Sequence, residues 1–247
     1  MRNSSLTFLL LILSCCGRLI LAAPPAENSE LSKEQAIQLI RELRGDIKYQ
    51  QTDPGPEIKS VFFSSSEIND DQLKYLKEFD TIQDLAFYGS KVTGAGLKHL
   101  QGFNKLQKLH LVRSPLTDDG LAHLKQFPGL KHIYIRNADL TDAALVHFKE
   151  LTSLQSLWLN STKITSAGLI HLKELKQLNS LNLYETGVND AGLIQLYGLK
   201  KLKYLDLSLT SVSSAAVAEL QAEIPGCKID FDRPVSPDDI KLVAEIK

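Results

Sequence analysis

From Ile58 onward the apolar residues return with a period of 24 residues and no slip of register. Position one of this unit falls at Ile58, Ile82, Leu106, Leu130, Leu154, Leu178 and Leu202. Position four holds Val61, Leu85, Leu109, Ile133, Leu157, Leu181 and Leu205, and position six Phe63, Phe87, Leu111, Ile135, Leu159, Leu183 and Leu207. Alternation of this kind predicts a short strand with positions four and six turned into a core and three, five and seven turned outward. Later in the unit the period lengthens. Position twelve carries Asn69, Thr93, Thr117, Thr141, Thr165, Asn189 and Ser213, all good helix N-caps. Aspartates often follow at once, where the positive end of a helix favours them. Apolar residues then fall at positions 16, 19 and 22, as in Leu169, Leu172 and Leu175, which predicts one buried helical stripe. Position 15 is mostly Gly or Ala, where adjacent helices would pack tightly. A single strand, turn and helix cannot bury its own apolar face. Stacked units can, as a parallel sheet on a concave face with helices on a convex one.

Leucines at one, four and six followed by a small polar residue at nine resemble the leucine-rich repeat. Position nine here is Ser66, Ser90, Ser114, Ala138, Thr162, Thr186 and Thr210, hydroxyls in place of the usual asparagine or cysteine. Ala138 has none, so its turn is expected to be looser. The resemblance implies an α/β fold, a right-handed, ribonuclease-inhibitor-like horseshoe of seven repeats with a C-terminal cap over residues 58–231. The closing Pro225-Gly226-Cys227-Lys228-Ile229 is similar to the terminal form of exported bacterial leucine-rich repeat proteins of planctomycete-like proteomes. F-box substrate adaptors carry similar repeats, but no F-box-like segment precedes residue 58 and an export signal argues against a cytosolic ligase.

Outside the array the pattern changes. Residues 1–23 read as a secretory signal peptide, with Arg2 before an apolar run at Leu6–Ser14 and small residues at Ala22 and Ala23. Ile12-Leu13-Ser14-Cys15 also fits a lipobox, which would put a lipid anchor at Cys15. Against it stands the apolar Leu19-Ile20-Leu21 where a polar tether is usual. The expected location is periplasmic, envelope-bound or secreted, with no transmembrane span. Residues 24–31 form a flexible lead-in. Ser32-Lys33-Glu34-Gln35 matches a capping box opening a helix that Gly45 ends, and a hairpin follows about Asp53-Pro54-Gly55-Pro56. Residues 32–57 thus read as an N-terminal cap, and 232–247 as a tail. Loss of the leader leaves only Cys227, so no internal disulfide is expected, and Cys227 reads as a packing residue.

The formal net charge is −1, or −3 without the leader, and no basic excess suggests nucleic acid. The outward strand positions carry the distinctive chemistry. Position five reads Phe62, Ala86, His110, Tyr134, Trp158, Asn182 and Asp206. With parallel strands about 4.8 Å apart, His110, His132, Tyr134, Arg136 and Trp158 should form one patch flanked by Tyr88 and Tyr184. Such residues bury large area with few rotors and are enriched in binding hot spots. The plainer reading is aromatics favoured by a sheet surface. Because the core uses other positions, the patch is read as a partner-binding surface for a protein or peptide, with an envelope glycan or a structural spacer role as the alternatives.

Two further patterns carry less. His99, His123, His147 and His171 recur at position 18, but helices about 8–10 Å apart are too distant for four-histidine ligation. No metal or cofactor is expected. His110 and His132 have potential acidic neighbours in Asp84 and Asp206, yet there is no nucleophile elbow, HExxH or phosphate loop, and strand-face serines read as exposed filler; the chain is not expected to be an enzyme. Asn160-Ser161-Thr162 matches a glycosylation acceptor, a triplet that arises often by chance.

Overall fold

The computed structural model describes residues 11–13, 19–21, 32–53 and 55–231. The expected leader, lead-in and tail lie outside these residues, apart from two short strands, β1 (Leu11–Leu13) and β2 (Leu19–Leu21), which pair antiparallel. The lipobox cysteine and the predicted cleavage region are likewise outside. No helix among the described residues is long and apolar enough to cross a membrane.

The capping box is formed in full: the Ser32 hydroxyl accepts from the Gln35 N–H at 3.3 Å and the Gln35 amide oxygen accepts from the Ser32 N–H at 2.8 Å. The helix Lys33–Glu42 follows. Its end differs from expectation. Arg44, not Gly45, takes the left-handed conformation (φ 58°). Gly45 already belongs to strand β3 (Gly45–Gln51), and a Cβ there would lie 2.5 Å from Ile40 Cγ2, so the glycine serves close packing of strand on helix. Strand β3 pairs antiparallel with β4 (Pro56–Ser64).

From β4 on, the sheet is parallel. Strands β5 (Asp84–Tyr88), β6 (Lys108–Val112), β7 (His132–Arg136), β8 (Ser156–Trp158), β9 (Ser180–Asn182), β10 (Tyr204–Asp206) and β11 (Lys228–Asp230) follow in sequence order, making nine strands with β3 and β4. The register pairs residues 24 apart throughout: Ser60 with Asp84, Asp84 with Lys108, and so on to Tyr204 with Lys228. Positions four and six of every repeat are inaccessible to solvent, as the alternation predicts.

The return segments are helical but differ from the expected α-helices. Asp70–Leu76, Ala95–Leu100, Asp119–Gln126 and Gly168–Leu172 are 3-10 helices, and the α-helical turns Asp142–Leu145 and Asp190–Leu193 pass into 3-10 geometry. Length explains this. A five-residue strand advances about 17 Å; eight residues returning as α-helix cover about 12 Å, but about 16 Å as 3-10 helix. Only the last unit holds a longer α-helix, Ser214–Glu223.

All seven position-twelve side chains cap as predicted, each accepting a backbone N–H two or three residues on. The aspartates at position thirteen also do something the sequence did not announce. Asp118 accepts from both the N–H and the hydroxyl of Thr141 in the next repeat, at 2.9 and 2.5 Å; Asp70, Asp142 and Asp190 clamp Thr93, Thr165 and Ser213 in the same way. The small residue at position 15 makes room for this clamp: a Cβ on Gly168 would fall 2.4 Å from Asp142 Oδ1. Position eight turns left-handed in every repeat (Ser65, Gly89, Arg113, Asn137, Ser161, Glu185, Leu209), although only one of the seven is glycine. In the first six repeats its N–H bonds the position-seven carbonyl of the next repeat at 2.7–2.9 Å, except beside Ala138, where Asn137 to Asn160 is 3.2 Å.

Candidate functional site

Register alone carries one row of side chains across the sheet. Phe62, Ala86, His110, Tyr134, Trp158, Asn182 and Asp206 are paired neighbours on successive strands, all at position five. In the middle of this row the rings touch. The His110 and Tyr134 rings stack with centroids 4.5 Å apart at 25°, and Trp158 meets Tyr134 edge-on at 5.1 Å and 86°. His132 lies parallel to Tyr134 at 6.3 Å, and Tyr88 tilts against His110 at 5.9 Å. Five of the seven predicted site residues therefore form one chain of rings on the strand face.

The other two do not join it. Arg136, paired with Val112 at the end of β7, is exposed, and Tyr184 lies two residues beyond the end of β9; neither makes a ring contact with the cluster. Position seven lies a residue pair further along the strand, about 6.6 Å from the position-five row, and both strands end at or before it.

The polar framing of the rings was only partly legible in sequence. The Tyr88 hydroxyl lies 3.3 Å from His110 Nδ1, and His110 Nε2 lies 3.5 Å from Asp84 Oδ1. That last contact is within electrostatic reach but falls short of hydrogen-bond geometry, leaving the buried Asp84 oxygen without a hydrogen bond. Trp158 donates its indole N–H to Ser180 at 3.4 Å. The signal for Asp84 was its diagonal register, position three on one strand against position five on the next. Asp206, the other carboxylate considered for the histidines, instead accepts from the Asn182 amide at 2.9 Å, four strands from His110.

Several expectations need correction. Only some serines of this face are exposed filler: Ser64 is exposed and Ser180 half-buried, but Ser60, Ser156 and Ser208 are buried, being small residues set among larger neighbours. Asn160, in the triplet that matches a glycosylation acceptor by chance, is only 5% exposed, with its amide oxygen buried and unpartnered.

Burial shapes the electrostatics. It pushes the Tyr88 and Tyr134 hydroxyls above the ordinary tyrosine range, with the Asp84 charge adding to it. Burial also lowers His132, helped by the positive charges of Lys108 and Lys131. At neutral pH the strip therefore holds un-ionised tyrosines and a neutral His132. Flat apolar faces with polar tips suit recognition. Further along, burial and the nearby Asp206 push Tyr204 up to about 12. Cys227 is buried and its thiol raised to about 11 by that burial. The position-18 histidines recur on the return segments, and among the described residues no group of three or more side chains is placed to hold a metal ion.

Among solved structures the chain is similar to an internalin C2 from Listeria monocytogenes, with a TM-score of 0.54 at 20% identity, covering 73% of this chain and 76% of that one. The fold is a leucine-rich repeat solenoid. No protein-family model matches the chain, and no curated protein matches it. At this identity the likeness is one of scaffold alone.

Proposed function

We propose that this chain is an exported, non-catalytic binding module that takes a protein or peptide partner on the concave strand face. One observation carries this reading: the contiguous ring chain Tyr88–His110–Tyr134–Trp158, with His132 beside it, stands outside a core completed by positions four and six. Aromatic rings that the core does not need, half-exposed on one face, suit a contact surface. Arg136 and Tyr184 are its outlying members, placed to meet a partner wider than the strip. Export rests on the leader sequence.

The test is a double variant, Trp158→Ala with Tyr134→Ala, used as bait against an envelope extract beside the wild type. The reading expects a protein band captured by the wild type and lost from the variant, with the melting curve of the variant still cooperative. Crosslinking from residue 158 in the native host would identify what is held. Loss of binding to isolated cell wall or a glycan array, with no protein band in either lane, would replace the reading with glycan recognition. Unchanged behaviour in every assay would leave a spacer.

A further inference from the structure

The two rims of the solenoid, where strands begin and where they end, are charged differently. On the rim past the strand ends, acids stand among the bases and most of those acids are engaged. Glu67 pairs with Lys91, Asp139 with Lys163 at 2.9 Å, and the position-thirteen aspartates are occupied by their clamps. The rim before the strands is another matter. The first two loops of this rim, 56–59 and 80–83, carry Glu57 and Asp80, but over the next five, 104–107, 128–131, 152–155, 176–179 and 200–203, there are six lysines and no aspartate or glutamate. These are Lys105, Lys131, Lys176, Lys200, Lys201 and Lys203; five are exposed and Lys131 is half-buried. Only Lys200 has a carboxylate partner among the described residues, Glu223 at 3.0 Å. A chain whose net charge is −1 has thus gathered five lysines without a carboxylate partner along the later repeats of one rim.

This rim also has a concavity. A cavity of about 720 Å³ is lined by Gln155, Gln177, Asn179, Lys201, Lys203 and the Pro225–Gly226 turn, with Glu223 at its edge paired to Lys200. Lys201 reaches Gln177 at 2.6 Å, so ammonium and amide groups converge there. The field extends inward as well, since Lys108 and Lys131 help hold His132 neutral.

We infer that this lysine rim docks an acidic polypeptide segment, a contact separate from the aromatic strip. Two features favour a polypeptide over a phosphate or sulfate polymer. The lysines alternate with amides (Gln107, Gln155, Gln177, Asn179), which can both donate to and accept from peptide groups, whereas an oxyanion polymer offers mainly acceptors. The rim loops contain no arginine, the side chain whose forked geometry matches phosphate.

The probe is fluorescently labelled poly-L-glutamate, titrated against the full chain by anisotropy at low salt, with polyphosphate and heparin as competitors. Saturable binding is expected, weakened about tenfold by Lys200→Gln/Lys201→Gln/Lys203→Gln and again by Lys105→Gln/Lys131→Gln, and weakened by raising salt from about 0.15 to about 0.5 M. Lys105, Lys201 and Lys203 are exposed, whereas Lys131 is half-buried and Lys200 is bonded to Glu223, so melting temperatures are measured for each variant and Lys105→Gln with Lys201→Gln/Lys203→Gln serves as the variant expected to keep the wild-type value. The Trp158→Ala/Tyr134→Ala variant should bind poly-glutamate as the wild type does, which separates this contact from the strip. Absence of binding, indifference to the lysine variants, or tighter binding of polyphosphate or heparin would each overturn the inference.

Discussion

Strands β5, β6 and β7 each run five residues and carry Ala86, His110 and Tyr134 at position five; β9 and β10 stop after three residues and carry Asn182 and Asp206 there. The difference lies in that one side chain. Asn182 accepts from the N–H of Tyr184, and Asp206 from the N–H of Ser208, each at 3.0 Å. A short polar side chain that captures the N–H two residues on offers the backbone a turn in place of a ladder bond. The side chains at position five of β5, β6 and β7 make no such bond to the N–H two residues on, and those strands continue. In β9 and β10 position five thus sets both the surface chemistry and an early strand end. Trp158 marks the boundary: its ring belongs to the aromatic half, but its strand is also short, so side-chain capture is one cause of a short strand and not the only one.

Both halves nevertheless share one core, and the largest predicted effect tests that. Leu109→Ala in the aromatic half and Leu181→Ala in the polar half each remove a fully buried position-four side chain. Each should cost about 2–5 kcal/mol in urea unfolding, and a gap between them wider than about 2 kcal/mol would break the picture of a common core. The next effect should divide the halves. Trp158→Ala with Tyr134→Ala should weaken a captured partner about 30-fold or more, whereas Asn182→Ala with Asp206→Ala should change its affinity less than about threefold by calorimetry.

A smaller effect runs the other way. Asn182→Ala removes the bond to Asp206 and releases the Tyr184 N–H, costing about 1 kcal/mol of stability. Amide exchange at Tyr184 should quicken. An unchanged exchange rate there would mean that the side chain does not end the strand.

The smallest effect concerns pH. The fold depresses the pKa of His132 below its ordinary 6.5. The unfolded chain then binds a proton more readily than the folded one, so stability is full above about pH 6.5 and declines as pH falls below it. His132→Phe should flatten that decline, measured as Tm between pH 7 and 5 against the wild type. His99 is lowered by burial too, so the difference between the two slopes, and not the slope itself, reports His132.

The repeat spacing made the strands, their parallel register, the buried positions and all seven caps legible before any coordinates, because each depends on residues close in sequence or 24 apart. The site was legible in part for the same reason. His110, Tyr134 and Trp158 meet because register brings position five of each repeat together. Arg136 and Tyr184 fail to join them because strand length and side-chain direction, which periodicity does not report, decide what lies at position seven.

What the sequence determined by itself, then, was the repeating unit and the order in which its side chains appear across the sheet. The tertiary structure decided what emerges only when units stack. The return segments tightened to 3-10 geometry because a 24-residue unit leaves too few residues for an α-helical return. Non-glycine residues turned left-handed at position eight because, in six of the seven repeats, the turn N–H bonds to the next repeat. The aspartates expected to favour their own helix ends became clamps on the following threonine or serine, since a carboxylate gains more from two donors held at the right distance by stacking than from a helix end alone.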